Sequence, residues 1–300
     1  MRIVFMGTPE YATTIFQSIQ KDVVALFTQP DKPVGRKQVL TPPHIKRYVQ
    51  ESGLDIPIFQ PQTLRDPAVI QTLKELQPDF IVVAAYGQIL PKDVLKIAPC
   101  INLHASLLPK YRGASPIQQA LLNGDTVTGV TAMLMDEGLD TGDILGFDVV
   151  SIEFSDTALT LFEKLSSCAA VLTPQVLQRF ALLKPLPQHD VDTSYCKKIK
   201  KSDGLVEFDD ALSIYNRYRA FIFWPGIFLQ SGLKLKTIEL VSKEGQNDPG
   251  RIVAIEDDGV VVGCKRGSLK IVRVQPPSKK EMDALSYIRG RRLGVGDTFL

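Results

Sequence analysis

The chain has few residues of the kinds that bind metals or build disulfide frameworks. Of its 300 residues, three are histidine and four are cysteine. The cysteines (Cys100, Cys168, Cys196 and Cys264) lie far apart and form no CxxC pair. This spacing argues against a zinc ribbon, another metal centre or a disulfide-rich secreted domain, and it favours a reducing cytoplasm.

Long apolar runs and targeting segments are also missing from the sequence. No apolar run approaches the ~20 residues that a transmembrane helix needs. The first ten residues, MRIVFMGTPE, lack a signal-peptide cleavage region and the Arg- and Ser-rich character of a transit peptide. We therefore expect a first core strand here, and a protein of the bacterial cytoplasm.

Three common catalytic and nucleotide-binding motifs do not occur. The first predicted strand ends in Gly7-Thr8-Pro9, where a dinucleotide-binding enzyme would have G-x-G-x-x-G, so a dehydrogenase is disfavoured. The phosphate-binding loop G-x-x-x-x-G-K-[ST] and the nucleophile elbow G-x-S-x-G are absent too. Any catalytic residues must therefore be sought at other strand ends.

Length and charge predict two domains. Single hydrophobic cores tend to stop growing at about 250–300 residues. Residues 1–199 contain 18 Lys+Arg and 20 Asp+Glu (18 − 20 = −2), and residues 200–300 contain 17 and 13 (17 − 13 = +4). The basic second part favours an anionic partner, although solvated surface charge would explain it almost as well.

Strands and helices alternate along the first part of the chain. Strands are predicted at 2–7, 23–29, 79–87 and 100–104, and helices at 63–76 (with Thr63 as N-cap), 115–124 and 156–180. This order predicts an α/β fold with a doubly wound, mostly parallel sheet. After a helix near 209–222, closely spaced strands predict a small β-barrel. The predicted domains are 1–184 and 207–300, with a linker at 185–206.

The most informative stretch is NLHASLLPKYRGASPIQ at 102–118. Residues i and i+2 of a strand point to one side, so Asn102 and His104 would share a face at a strand end. Imidazole suits proton transfer near neutral pH, and an amide can donate to an oxyanion. A carboxylate from the run MDEGLDTGD at 135–143 could fold back and orient His104. From spacing alone, the alternative that these residues only form turns stays open.

NLHASLLPKYRGASPIQ and MDEGLDTGDIL together resemble the signature of the folate-dependent formyltransferases. The resemblance extends to MRIVFMGTPE, FTQPDKPVGR and VVAAYGQILP and, more weakly, to AFIFWPG. It implies that Asn102, His104 and Asp140 are catalytic. It also implies a folate site formed by Ser106, Leu107, Leu108, Pro109, Tyr86, Gln88, Ile89 and Leu90.

The branch of the family that these motifs resemble acts on initiator methionyl-tRNA. Its implied reaction moves the formyl group of N10-formyltetrahydrofolate to the free amine of methionine, without a metal or a covalent enzyme intermediate. Asn102 and protonated His104 would stabilise the oxyanion, and Asp140 would hold His104 and relay a proton. The implied fold is a Rossmann-like formyltransferase domain followed by an OB-like barrel.

Basic residues outside this stretch are candidates for binding tRNA. The connection at 27–47 is much longer than the 2–6 residues typical of βα loops. The resemblance implies that it enters the acceptor end of the tRNA, with Arg36 as the key arginine beside Lys32 and Lys37. Further candidates lie in the linker, at Lys197, Lys198 and Lys200. Trp224 could stack on a base, but we expect this single tryptophan in the core.

Two other functions remain open. The same catalytic residues could formylate a small amine, such as an amino sugar or glycinamide ribonucleotide, although the long basic loop and basic barrel speak against it. A non-catalytic RNA-binding protein could keep the fold, but the intact set of Asn102, His104 and Asp140 speaks against that. We expect a monomer because no oligomerisation segment stands out.

Overall fold

The computed structural model describes residues 1–35 and 37–299. Its contacts divide the chain into two compact units. The first unit comprises Met1–Pro116, Thr126–Ile152 and Leu161–Cys196, and the second comprises Ile117–Asp125, Glu153–Thr160 and Lys197–Leu300. Within the described residues, every helix is too short or too polar to cross a membrane.

The first unit is built on a seven-stranded sheet of order β10-β9-β7-β6-β1-β2-β5. The strands of this unit are β1 (Ile3–Gly7), β2 (Val23–Phe27), β3 (Lys32–Val34), β4 (Val39–Thr41), β5 (Ile58–Phe59), β6 (Phe80–Ala84), β7 (Cys100–His104), β8 (Arg112–Gly113), β9 (Val127–Leu134), β10 (Ile144–Ser151) and β11 (Tyr195–Cys196). Neighbouring strands pair in parallel from β7 through β6, β1 and β2 to β5, whereas β9 pairs antiparallel with both β7 and β10. The mostly parallel sheet is therefore confirmed.

Helices alternate with strands along this part of the chain, as the sequence predicts. They are α1 (Glu10–Ile19), α2 (His44–Glu51), α3 (Pro67–Glu75), α4 (Lys92–Leu95), α5 (Pro116–Asn123) and α6 (Ala158–Arg179). Successive residues of β1 face opposite sides of the sheet. Phe5 packs on Phe16 of α1, whereas Val4 lies in a core cluster with Leu73 of α3 and Val94 of α4. Helices thus cover both faces.

Helix α3 begins later than its sequence pattern predicts. Thr63 is not its N-cap. Asp66 takes that position, and its side chain accepts a 2.9 Å hydrogen bond from the backbone N–H of Ala68. Pro67 follows as the first helical residue, where its missing N–H costs nothing. The Thr63 hydroxyl instead accepts from the backbone of Arg65 in the preceding turn.

The second unit contains an antiparallel sheet. Its elements after Lys197 are α7 (Ala211–Ala220), β12 (Ile227–Phe228), β13 (Lys234–Ser242), β14 (Ile252–Ile255), β15 (Val260–Gly263), β16 (Ser268–Gln275), β17 (Met282–Asp283) and α8 (Ala284–Arg291). The path β12-β13-β16-β15-β14 is antiparallel throughout, and β17 adds to β16. The antiparallel strands are confirmed, whereas a closed OB-like barrel stays a prediction.

Trp224 does not lie in the core, so that prediction was wrong. Its exposed fraction is 53%, whereas Phe221 is only 2% exposed. The backbone N–H of Gly226 donates back to the carbonyl of Phe221. This turn follows the end of α7 and leaves Trp224 half-exposed, while the Phe221 ring fills the core position.

Candidate active site

Asn102 and His104 both approach one carboxylate oxygen of Asp140. The Asn102 Nδ2 atom lies 3.4 Å from Asp140 Oδ1, and His104 Nδ1 lies 3.7 Å from the same oxygen. Strand β7 holds the pair firmly, because it is hydrogen-bonded to β6 on one side and to β9 on the other. Asp140 is thus the acid of the run 135–143 that folds back toward His104, and it is only 12% exposed.

The two ring nitrogens of His104 have different partners. His104 Nε2 lies 2.9 Å from the carbonyl oxygen of Tyr111. A carbonyl oxygen only accepts hydrogen bonds, so Nε2 carries a hydrogen and donates it. The other nitrogen, Nδ1, faces Asp140, and in the neutral ring it carries no hydrogen. It becomes a donor only when the ring is doubly protonated.

The carboxylate of Asp140 is held by backbone groups as well as side chains. Its Oδ2 atom accepts a 2.8 Å hydrogen bond from the N–H of Gly113. Asp140 itself has a φ of 55°, and Tyr111 has a φ of 60°. Left-handed backbone is uncommon for residues other than glycine, and such conformations cluster at functional sites. Asp140 is itself one of the three candidate catalytic residues, and the Tyr111 carbonyl contacts His104.

A short two-stranded sheet supports this backbone. Strand β8, which contains Gly113, pairs in parallel with β11. The N–H of Tyr111 donates to the Ser194 hydroxyl, and that of Arg112 donates to the Ser194 carbonyl. These supports were not predicted, because residues 185–206 have the composition of a linker. The only available signal was the glycine in K-Y-R-G, and two-residue strands show no periodicity.

The segment from Ser106 to Pro109, predicted to form part of the folate site, is a fixed loop directly after β7. Ser106 is fully buried, and its hydroxyl donates to the Lys110 carbonyl at 2.6 Å. The Thr131 hydroxyl donates to the Ser106 carbonyl and accepts from the N–H of Leu108. Leu108 is also buried. Leu107 and Pro109 are half-buried and are the more accessible residues of this segment.

The other four residues predicted for the folate site differ in exposure. Tyr86 and Leu90 belong to the core cluster beneath β6, whereas Ile89 is 74% exposed. The Gln88 amide donates to the Pro61 carbonyl and accepts from the backbone of Leu64. Of these four side chains, Ile89 alone is largely exposed.

Unpaired polar atoms mark the carboxyl ends of β2 and β6. Among the described residues, the Thr28 hydroxyl, Gln29 Nε2 and the Tyr86 hydroxyl are buried without a hydrogen-bond partner. Burial raises the pKa of the Tyr86 phenol above its ordinary value. Open α/β sheets bind ligands outside the carboxyl ends of their strands. Buried polar groups without partners are rare enough to need a cause, and a bound ligand is one.

Metal ligands are not grouped in the part of the chain that the structure describes. No three His, Cys, Asp or Glu side chains in residues 1–35 and 37–299 are placed to hold a metal ion.

The candidate tRNA contacts are exposed lysines. The long connection contains the hairpin β3–β4, which carries Lys32, and Lys37 lies between its strands. Arg36 lies outside the described residues. The segment of the second unit that begins at Lys197 carries three further exposed candidates, Lys197, Lys198 and Lys200.

Family models match both parts of the chain. A model described as "Formyl transferase" matches residues 1–177, and "Formyl transferase, C-terminal domain" matches residues 198–292. Among solved structures, an N-formyltransferase from Helicobacter canadensis in complex with folinic acid and dTDP-3-aminofucose has a TM-score of 0.68 at 20% identity, covering 90% of this chain and 98% of that one. HypX from Aquifex aeolicus in complex with tetrahydrofolic acid has a TM-score of 0.65 at 16% identity. The match covers 98% of this chain but spans only about half of HypX (48%).

Curated relatives match over the full length. The methionyl-tRNA formyltransferase of a Nitratiruptor species is 67% identical over 100% of both chains. Those of Sulfurimonas denitrificans and Wolinella succinogenes are 56% and 54% identical over 99% of each chain. The chain therefore belongs to the formyltransferase family, among its methionyl-tRNA formyltransferases.

Proposed function

We propose that this chain transfers the formyl group of N10-formyltetrahydrofolate to the free α-amine of initiator methionyl-tRNA, with Asn102, His104 and Asp140 as catalytic residues. The reaction is that of the full-length relatives. The assignment of residues rests on one observation: Asp140 Oδ1 lies within 3.7 Å of nitrogen atoms of both Asn102 and His104. An amide donor, an imidazole and a carboxylate thus meet at one strand end.

The first step forms the new carbon–nitrogen bond. The amine nitrogen of the methionyl group attacks the formyl carbon, and the formyl oxygen becomes an oxyanion. The Nδ2–H of Asn102 and the Nδ1–H of protonated His104 donate to this oxygen. Donors that are already in place stabilise the developing charge without reorganisation in the transition state.

The second step breaks the bond between the formyl carbon and N10. The amine loses one proton and N10 gains one, so the products are the N-formyl amine and tetrahydrofolate. Asp140 accepts the proton from the attacking nitrogen and passes it toward N10. Its carboxylate also stabilises the positive charge on His104, because the ring nitrogen lies 3.7 Å away.

In this proposal, basic side chains hold the tRNA mainly through the phosphates of its backbone. Lys32, Arg36 and Lys37 of the loop, with Lys197, Lys198 and Lys200, supply positive charge for phosphates. Such contacts position the substrate but read little sequence, and they weaken with salt. In this proposal residues 1–184 form the catalytic domain and 207–300 the OB-like tRNA-binding domain. The enzyme acts as a cytoplasmic monomer.

The decisive experiment is single-turnover formyl transfer from N10-formyltetrahydrofolate. Three acceptors are compared: Met-charged initiator tRNA, Met-charged elongator tRNA and free methionine. Rapid transfer to the initiator alone is the expected result. If no acceptor is formylated while folate still binds, the proposal fails and formylation of a small amine becomes the better explanation.

A further inference from the structure

The side chain of Gln188 bridges a buried arginine and the backbone around Asp140. Its Nε2 atom donates to the carbonyl of Asp140 at 3.0 Å and to that of Gly142 at 2.7 Å. Its Oε1 atom accepts from Arg112 Nε at 3.0 Å and from Nη2 at 2.8 Å. All four of these hydrogen bonds thus lie within the first unit.

These partners determine the orientation of the amide. A guanidinium only donates and a backbone carbonyl only accepts, so exchanging the oxygen and nitrogen of Gln188 would break every one of these bonds. Glutamate has a similar shape but no N–H groups. It could pair with Arg112, but it would place oxygen against the two carbonyls.

Arg112 anchors this bridge in the protein interior. Its side chain is only 2% exposed, whereas the carboxylate that it reaches, Asp190, is 93% exposed and lies 3.4 Å from Nη1. Arg112 also belongs to β8, beside Gly113. The guanidinium therefore connects Gln188 to the same short strand whose backbone N–H binds the Asp140 carboxylate.

Backbone contacts with β9 also hold the acidic run at 135–143 near its C-terminal end. The Asp143 carbonyl accepts a 2.8 Å hydrogen bond from Leu134 of β9, and a Cβ on Gly142 would lie 1.8 Å from the Leu134 carbonyl oxygen. At Asp140, by contrast, the backbone is left-handed, with a φ of 55°. Its carbonyl accepts from Gln188, which thus holds the backbone at the residue whose carboxylate faces Asn102 and His104.

We infer that Gln188 is a positioning residue, which acts by holding the backbone of Asp140 so that its carboxylate faces Asn102 and His104. This inference rests on the proposed catalytic role of Asp140. Groups that orient a functional side chain contribute to rate even though they never touch the substrate. A misplacement of about 1 Å in a catalytic constellation can cost about 100-fold in rate.

The test compares Gln188→Glu with the wild-type enzyme in steady-state formyl transfer. This variant keeps a partner for the Arg112 guanidinium but removes both donors to the carbonyls. We expect kcat to fall by about 10- to 100-fold, with KM for folate and for tRNA within about twofold. Gln188→Met is the second variant, because it removes the donors without adding a charge. Asp192→Asn, an exposed substitution on the same segment, serves as the control and should retain wild-type kcat.

A double-mutant cycle separates positioning from a merely structural effect. If Gln188 acts through Asp140, adding Gln188→Glu to Asp140→Ala lowers kcat no further than Asp140→Ala alone. A second, multiplicative loss in the double variant would overturn the inference. So would a wild-type kcat in a folded Gln188→Glu or Gln188→Met protein, where circular dichroism and folate binding establish folding.

The proposed function and this inference fail in different ways. An inactive wild-type enzyme, or an Asp140→Ala variant of wild-type rate, would refute the catalytic assignment itself. An active wild type, an impaired Asp140→Ala and an unimpaired Gln188→Glu would refute only the role of Gln188.

Discussion

The backbone N–H of Gly113 donates a 2.8 Å hydrogen bond to Oδ2 of Asp140. Gly113 has a φ of 117°, and a Cβ at this position would lie 2.4 Å from the Cys196 carbonyl oxygen. The direction of the Asp140 carboxylate thus depends on the close approach of two short strands, β8 and β11. Only glycine permits that approach.

Replacing Gly113 with alanine should therefore impair both folding and catalysis. We expect Gly113→Ala to lower the free energy of unfolding by about 1–3 kcal/mol, since the new methyl group meets backbone and the φ is strained. It should also reduce kcat by displacing the donor to Asp140. Denaturant unfolding and steady-state formyl transfer measure the two effects.

Gly53→Ala is the matched control for this substitution. Gly53 also has a positive φ, of 65°, but an added Cβ would have no neighbour within 4 Å among the described atoms. It should cost only about 1 kcal/mol, the usual penalty of a left-handed alanine, and leave kcat unchanged. Equal effects of the two substitutions would contradict the role given to the Gly113 contact.

Removal of either proposed oxyanion donor should cause a similar loss of rate. Asn102→Ala and His104→Ala should each reduce the transfer rate by about 10²–10³-fold, because each removes one donor. His104→Ala should also lower the unfolding free energy, by about 1–3 kcal/mol, since it removes the buried hydrogen bond to the Tyr111 carbonyl. A near-normal rate for either folded variant would contradict the assignment.

Asp140→Asn tests the charge of the carboxylate with little change in shape. The amide oxygen of asparagine can still accept from the N–H of Gly113, but its amide nitrogen then faces the Asn102 donor, so we expect a folded variant with a lowered unfolding midpoint. The amide cannot accept the proton of the attacking amine, and it carries no charge beside His104. We expect the rate to fall about 10²-fold or more. A folded variant with wild-type kcat would exclude Asp140 from the proton relay.

Strand β7 and its two polar residues could be predicted because the relevant signals are local. An apolar run typical of a buried strand precedes Asn102 and His104, and the alternation of side chains places both on one face. The return of Asp140 to that face follows from the antiparallel pairing of β7 with β9. That pairing joins distant residues, so spacing alone left a simple turn as an alternative.

The supports of the site could not be predicted in the same way. Gln188 lies 48 residues from Asp140, and β8 and β11 contain two residues each. Neither a single amide nor a two-residue strand leaves a periodic pattern in sequence. Residues 185–206 are rich in Pro, Asp and Lys, as solvated linkers are, yet Gln188 and Ser194 make specific hydrogen bonds within the first unit.

Salt dependence should reveal which lysines contact tRNA phosphates. The double variant Lys197→Gln/Lys198→Gln should weaken tRNA binding and flatten the plot of log K against log salt by about 0.7–0.9 for each phosphate that is no longer neutralised. Lys21→Gln/Lys74→Gln, which removes two exposed lysines of the first unit, should change neither. Identical slopes for wild type and the Lys197/Lys198 variant would remove these residues from the tRNA interface.

Phe221 and Trp224, three residues apart, should differ sharply in their contribution to stability. Phe221 is 2% exposed and Trp224 is 53% exposed. Truncating a buried phenylalanine typically costs about 3–5 kcal/mol, whereas substitutions at the surface usually change stability by about 0.5 kcal/mol. Phe221→Ala should therefore lower the urea midpoint strongly, and Trp224→Ala should lower it slightly. If Trp224→Ala destabilises the protein as much as Phe221→Ala does, the Trp224 side chain contributes to the core, as the sequence alone predicts for a single tryptophan.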